Sequence, residues 1–246
     1  MITTAIITAL ENELAGLVEG WKQSQILIGG KPVPCYETDG IVAVAAGIGC
    51  RRAEAAARVL TAKFKPQMFI SAGLAGALIR SLKIGSIVLP NVIVDGQSGA
   101  EYRCDVGGEV IGGGILVTAS QIAGTTDKQR LVEQFHALIV DMEAAGVARI
   151  AREAGTGFRC VKAISDEANF EMPPLNSFVT TDGKFDAGAY GRWVLLRPQY
   201  WWRTAMLGRN SARASRELCN WLQQNLRNGL RPGKVVKLNE AEYSKN

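Results

Sequence analysis

The sequence predicts an α/β fold built on a mixed, largely parallel β-sheet. Two observations predict it. Over the first 165 residues, short β-branched or apolar runs alternate with alanine-rich stretches of helical spacing. Several of those runs are apolar at consecutive positions, the pattern of strands covered on both faces. With 246 residues, 47% of them hydrophobic, the chain has enough apolar surface to bury a substantial core.

The strand candidates, in order, are residues 3–10 (TTAIITAL), 25–30 (QILIGG), 41–47 (IVAVAAG) and 68–73 (MFISAG), then 86–94 (SIVLPNVIV), 114–120 (GILVTAS), 136–142 (HALIVDM) and 158–165 (FRCVKAIS). Residues 50–64 (CRRAEAAARVLTAKF) and 143–155 (EAAGVARIAREAG) read as helices, the second closed by Gly155 as a C-cap. Residues 170–186 hold two prolines and an Asp-Gly pair and read as a surface loop. Ligands of such folds gather at the carboxyl ends of the strands.

Five scattered cysteines and a single histidine, His136, offer neither a disulfide framework nor a zinc site, and no cofactor or metal is expected. There is no apolar run of 18 residues and no signal-peptide pattern at the start, so a cytoplasmic, non-spanning protein is expected. The charge is uneven. Residues 187–246 carry 11 Lys/Arg against 3 Asp/Glu, and the stretch from Ala187 to Arg216 interleaves six arginines with Tyr190, Trp193, Tyr200, Trp201 and Trp202. These residues are expected to form a basic, aromatic-rich helical extension (187–246) packed on a catalytic domain spanning 1–186. Residues 190–222 suit either packing on the core or peripheral contact with membrane headgroups. No nucleic-acid motif accompanies the basic residues, and no nucleic-acid partner is expected.

Several strand ends carry glycine or acid. Gly47-Ile48-Gly49 ends one strand and opens a helix, where backbone N–H groups face an anion or a sugar. Gly73 and Gly76 permit close approach to the main chain. Taken singly these glycines serve tight turns, Glu143 suits a helix N-terminus, Asp166 suits an N-cap, and Glu13 suits a solvated first helix. Together, three acids at the ends of separate strands point to a site.

The motifs TALENEL, AAGIGCRRAEAAA, FISAGLAGAL, VDMEAAGVA and KAISDEAN, in this order, resemble the purine nucleoside phosphorylase and nucleosidase superfamily. The similarity is closest to the 5'-methylthioadenosine/S-adenosylhomocysteine nucleosidase branch and spans residues 3–169. It implies a three-layer α/β/α, nucleoside phosphorylase-like fold with a central mixed sheet, and a homodimer. It also implies hydrolysis of the N-ribosidic bond of a 5'-substituted adenosine, with release of adenine. Asp166 then matches the acid that protonates the purine at N7, and Ser165 is its neighbour in the site. Glu13 matches the carboxylate that positions the attacking water. Glu143 grips the ribose hydroxyls above Met142, the Ile122 backbone reads the adenine edge, Gly73 lies along the substrate, and Ile48 lines the 5' pocket.

The alternatives are a phosphorylase using phosphate, with Arg51 and Arg52 as the candidate anion ligands, and a non-catalytic nucleoside- or lipid-binding relative. This chain departs from the methylthioadenosine nucleosidases at Leu74 (a serine that helps hold water), Lys162 (an arginine near the acid) and Gln121 (a phenylalanine that stacks on adenine). The stretch 95–113 is shorter than theirs. Residues 172–186 and the Trp/Arg-rich helix after them resemble hopanoid-associated phosphorylase-like proteins, which implies a lipid-tailed substrate of adenosylhopane type.

Overall fold

The structure is a computed structural model and describes residues 2–105, 114–180 and 183–227. Residues 106–113 of the short 95–113 stretch therefore lie outside the described residues, as do 228–246 of the basic extension.

Eleven strands form one mixed sheet in the order β2-β3-β4-β1-β5-β10-β9-β7-β8, with β11 on β5 and β6 on β11. Strands β1 (Thr4–Thr8), β4 (Ile41–Ala45), β5 (Met68–Ala77) and β11 (Gly157–Asp166) run parallel and make its centre. Strand β10 (Ala137–Asp141) runs antiparallel to the end of β5 and parallel to β9 (Ile115–Thr118). The remaining strands are β2 (Lys22–Ile28), β3 (Lys31–Thr38), β6 (Ile87–Val88), β7 (Val92–Asp95) and β8 (Glu101–Arg103).

Alternation along the strands sorts side chains between two covered faces. Ala5 and Ile7 of β1, with Val42 and Val44 of β4, pack under helices α1 (Cys50–Phe64) and α3 (Ala144–Ala154). The intervening Ile6, Ala43 and Ala45 face the opposite way, onto Ala214, Leu218 and Leu222 of the last helix, α5 (Trp201–Arg227). Helix α2 (Thr125–Phe135) covers β9 and β10 on that second side through Leu131, Val117 and Val140. The result is the three-layer α/β/α arrangement. Helix α4 (Ala187–Leu195) precedes α5, and its Asp186 carboxylate caps it at Ala189 N (2.8 Å).

Four elements depart from the sequence expectation. The run 25–30 was expected to continue through both glycines, but Gly29 and Gly30 (φ 58° and 77°) form the two-residue hairpin turn that starts β3. Strand β3 itself holds Pro32 and Pro34, which argue against a strand. They are tolerated because β4 pairs only with Cys35–Thr38, so each proline has a neighbour strand on one side alone. Residues 86–94 break at Pro90 into β6 and β7. Helix α2 was not anticipated, because its sequence TTDKQRLVEQF is mostly polar. Among the described residues no helix is long and apolar enough to cross a membrane.

Candidate active site

Glu13, Glu143 and Asp166 come from the ends of β1, β10 and β11 and line one cavity of about 580 Å³. All three are buried, at 3%, 8% and 4% exposure. None has its side chain doing the bland task that its local sequence suggests.

Glu13 ends a short 3-10 turn (Glu11–Glu13) after β1 and is buried rather than solvated. Its carboxylate accepts hydrogen bonds from Ala9 N (2.9 Å), Leu10 N (3.1 Å) and Leu74 N (3.4 Å). Burial pushes its pKa above the usual carboxylate range, while those N–H groups and the Lys162 charge pull the other way.

Glu143 stands at the N-cap of α3, yet its side chain does not cap that helix. It reaches across to Gly49 N (2.8 Å) and turns back to Met142 N (3.2 Å). The Gly-Ile-Gly turn therefore faces an anion, and the anion is the protein's own Glu143. Gly47 and Gly49 hold φ values of 97° and 103°, a conformation that glycine alone adopts freely. Burial, and secondarily the charge of Asp141, push the Glu143 pKa up to about 7.

Asp166 closes β11, where the register against β5 slips between Ile164 and Asp166. Consecutive strand residues normally point to opposite faces, but this bulge lets Ser165 and Asp166 both line the cavity. Ser165 Oγ donates to Asp166 Oδ1 (2.9 Å). The other oxygen, Oδ2, receives Lys128 Nζ from α2, and that ammonium also donates to Glu167 O (2.8 Å). Both partners are buried, with side chains 2% and 6% exposed.

The glycines of SAGLAGAL serve these acids. A Cβ on Gly76 would come within 2.9 Å of Asp166 Oδ2, and one on Gly73 within 3.2 Å of Glu13 Oε2. Gly73 was expected along the substrate; it stands behind Glu13 and is not part of the cavity wall.

Further expectations change. Lys162 was expected near the acid Asp166. Its Nζ instead lies 2.8 Å from Asp141 Oδ2 as a buried ion pair, and the cation beside Asp166 is Lys128. The Ile122 backbone, expected to read adenine, is engaged on both sides by one carboxamide: Ile122 N donates to Asn176 Oδ1 (2.9 Å) and Asn176 Nδ2 donates to Ile122 O (3.1 Å). Met142, Ile48, Leu74 and Gln121 line the cavity. Arg52 is spent on Ala46 O (2.9 Å) and Ile28 O (3.4 Å), and neither it nor Arg51 reaches the cavity.

Lys128 and Asn176 are the residues that sequence reasoning missed. A lysine in a polar helix and an asparagine in a loop look like solvated residues. The one local signal for α2 is Asp127, whose carboxylate accepts from Gly124 N (3.3 Å) and marks the helix start.

A family model described as the phosphorylase superfamily matches residues 3–109 and 104–184. The chain belongs to the phosphorylase superfamily. Curated relatives within that superfamily include the 5'-methylthioadenosine/S-adenosylhomocysteine nucleosidase of Geobacillus thermodenitrificans, 28% identical over 217 residues, which cover 74% of this chain and 92% of the relative. The enzyme of the same name from Oceanobacillus iheyensis is 27% identical, covering 74% and 94%. Among solved structures, the Helicobacter pylori 5'-methylthioadenosine/S-adenosylhomocysteine nucleosidase bound to a pyrrolidinol inhibitor aligns with a TM-score of 0.68 at 16% identity, covering 92% of this chain and 98% of that one. Helicobacter pylori futalosine hydrolase aligns with a TM-score of 0.62 at 18% identity, covering 88% and 95%. At such identities the superfamily fold is what is shared, and it carries more than one hydrolase name.

Proposed function

We propose that the protein is a nucleosidase that hydrolyses the N-ribosidic bond of a 5'-substituted adenosine and releases adenine. The observation that carries this reading is the set of buried carboxylates, Glu13, Glu143 and Asp166 beside the structural Asp141, lining one cavity with no arginine in its wall among the described residues. Cleaving the bond creates an oxocarbenium-like sugar and a purine with growing negative charge. The purine needs a proton, the sugar needs electrostatic support, and the nucleophile needs a base. Asp166 is assigned to the purine and Glu143, above Met142, to the ribose hydroxyls. Glu13, with its raised pKa, is assigned to the water.

Water is favoured over phosphate on electrostatic grounds. A dianionic nucleophile beside Glu13 and Glu143 meets like charge; Arg52 is committed elsewhere, and neither it nor Arg51 lines the cavity. Adenine release from methylthioadenosine and adenosylhomocysteine in phosphate-free buffer tests the reading, with inosine as the control base. A strict phosphate requirement would overturn it.

The 5' side of the cavity is apolar, lined by Leu10, Ile48, Leu74, Met172, Phe185 and Leu207. Its outer wall belongs to α5, whose Thr204, Gly208 and Ser211 recur at helical spacing down from Trp201. Near that end of α5 lie four of the exposed large apolar side chains, Leu195, Leu196, Trp201 and Trp202. This placement supports a substrate with a long apolar 5'-substituent, of adenosylhopane type, taken from a membrane surface. Turnover of 5'-alkylthioadenosines should then rise with chain length, and anionic liposomes should sediment the protein; a preference for methylthioadenosine without liposome binding would remove this extension and leave the hydrolase reading intact.

A further inference from the structure

An acid that donates to N7 needs a supply of protons, and Asp166 is paired with a buried ammonium that can provide one. Oδ2 accepts from the Lys128 ammonium, and Oδ1 lies 2.9 Å from Ser165 Oγ, whose single proton is also within 3.3 Å reach of Ala75 O. With the pair ionised, the proton rests on the lysine nitrogen, and Asp166 alone has nothing to donate. Lys128 is not held there by accident of a crowded surface. It is 2% exposed, it projects from α2 across to the end of β11, and Glu167 O fixes the ammonium from a second direction at 2.8 Å. It also lines the same cavity as Asp166, the only lysine to do so among the described residues.

We propose that Lys128 holds the proton that the departing purine receives, with Asp166 as the group that passes it on. This rests on the nucleosidase reading above. As the N9–C1' bond breaks, its electron pair moves into the purine ring and N7 becomes basic. Asp166 takes a proton from Lys128 Nζ, which is left as a neutral amine, and passes that proton to N7. Water adds to C1' and its proton goes to Glu13. The lysine is reprotonated, and Glu13 deprotonated, by exchange with solvent once the products leave. A purine anion is a base of amine-like strength, so the transfer is matched late in bond cleavage, where a general acid is most effective.

The test pairs two substrates that share a 5'-methylthioribosyl group and differ in the leaving group. Adenine must be protonated to leave; 4-nitrophenolate need not be. Wild-type protein, Lys128→Met and Lys128→Arg are assayed on methylthioadenosine and on the 4-nitrophenyl riboside. Lys128→Met should lower kcat for adenine release about 10²- to 10⁴-fold, with KM little changed. Its rate on the 4-nitrophenyl substrate should stay within a few-fold of wild type, which also shows that the variant is folded. Lys128→Arg keeps the charge but does not give up a proton, and should remain impaired on the purine alone.

Equal losses on both substrates would overturn the proposal in favour of a structural role. Full rescue by Lys128→Arg would overturn it in favour of charge alone. Undiminished adenine release by Lys128→Met would overturn it outright while leaving the nucleosidase reading standing. No adenine release by the wild-type protein would sink both.

Discussion

Two buried Lys–Asp pairs lie within the same fold and do different things. Asp141 is saturated: Oδ1 accepts from Thr118 Oγ1 (2.8 Å), and Oδ2 accepts from Ala144 N (2.9 Å) with Lys162 Nζ at 2.8 Å. Its partners tie β9, β10, α3 and β11 together. The Asp166 pair spans α2 and β11 and borders the cavity, with both side chains in its wall. Residue type and burial are thus the same in both pairs. What separates scaffold from chemistry is how each pair meets the cavity: both Lys128 and Asp166 line it, whereas Asp141 reaches it with both carboxylate oxygens engaged and Lys162 is not in its wall.

Removing each carboxylate gives the largest expected effects, of opposite kinds. Asp166→Asn should lower adenine release about 10³-fold, with a smaller fall in Tm than Asp141→Asn because the Lys128 it leaves unpaired is in the cavity wall, where water can reach it, and keeps Glu167 O as a partner. Asp141→Asn leaves a buried lysine without its counter-charge, and breaking a buried pair this way costs about 3–5 kcal/mol. Its signature should be a large fall in Tm, read by thermal denaturation alongside adenine release. If Asp141→Asn keeps wild-type Tm, or Asp166→Asn unfolds the protein, the division between the pairs collapses.

The closed pair still acts on the site through charge. Burial raises the Glu143 pKa most; Asp141 adds to that rise and Lys162 opposes it, leaving it at about 7. Gripping ribose hydroxyls calls for the ionised carboxylate, so kcat/KM should fall as pH drops below about 7. Stability should move the other way. The folded-state pKa lies above the unfolded value of 4.5, so the folded protein binds more protons between the two. The contribution of Glu143 to stability is therefore lost as pH rises from about 4.5 to about 7. Glu143→Gln should remove that slope from urea-denaturation curves and abolish the acidic limb of the rate profile along with most activity. An unchanged acidic limb in a residual-activity profile would assign it to another group.

The contrast also explains what was legible in the sequence. The parallel core was legible because β1, β4, β5 and β11 are apolar on consecutive positions, and the three acids because each follows such a strand. The roles of their neighbours were not. Nothing local distinguishes Lys128, buried against Asp166, from Lys63 on α1, which is exposed; the difference is made by the distant strand that α2 packs beside. Gly73 and Gly76 were legible as close-approach positions, but what approaches is Glu13 and Asp166, a long-range fact. Lys162 was misplaced for the same reason: four residues before Asp166 on one strand, it meets Asp141 from the neighbouring region of the sheet instead. The tail was ambiguous because it is mixed. Trp193 packs against Phe178 and Tyr200, whereas Trp201 and Trp202 stay exposed.

The smallest expected effect concerns polar groups at the cavity that are satisfied only provisionally. The Asn176 carboxamide gives Ile122 an acceptor and a donor side by side, the same pair that the N1 and 6-amino edge of adenine presents. If Ile122 reads that edge, adenine displaces Asn176 and forfeits two neutral hydrogen bonds worth about 0.5–1.5 kcal/mol each. Asn176→Ala removes the competitor and should lower KM by roughly 5- to 150-fold with kcat little changed. Asn176→Asp, which keeps the acceptor but loses the donor to Ile122 O, should fall between the two. A rise in KM for Asn176→Ala would mean that the carboxamide is a permanent part of the purine site, and that the purine edge is read by groups other than the Ile122 backbone.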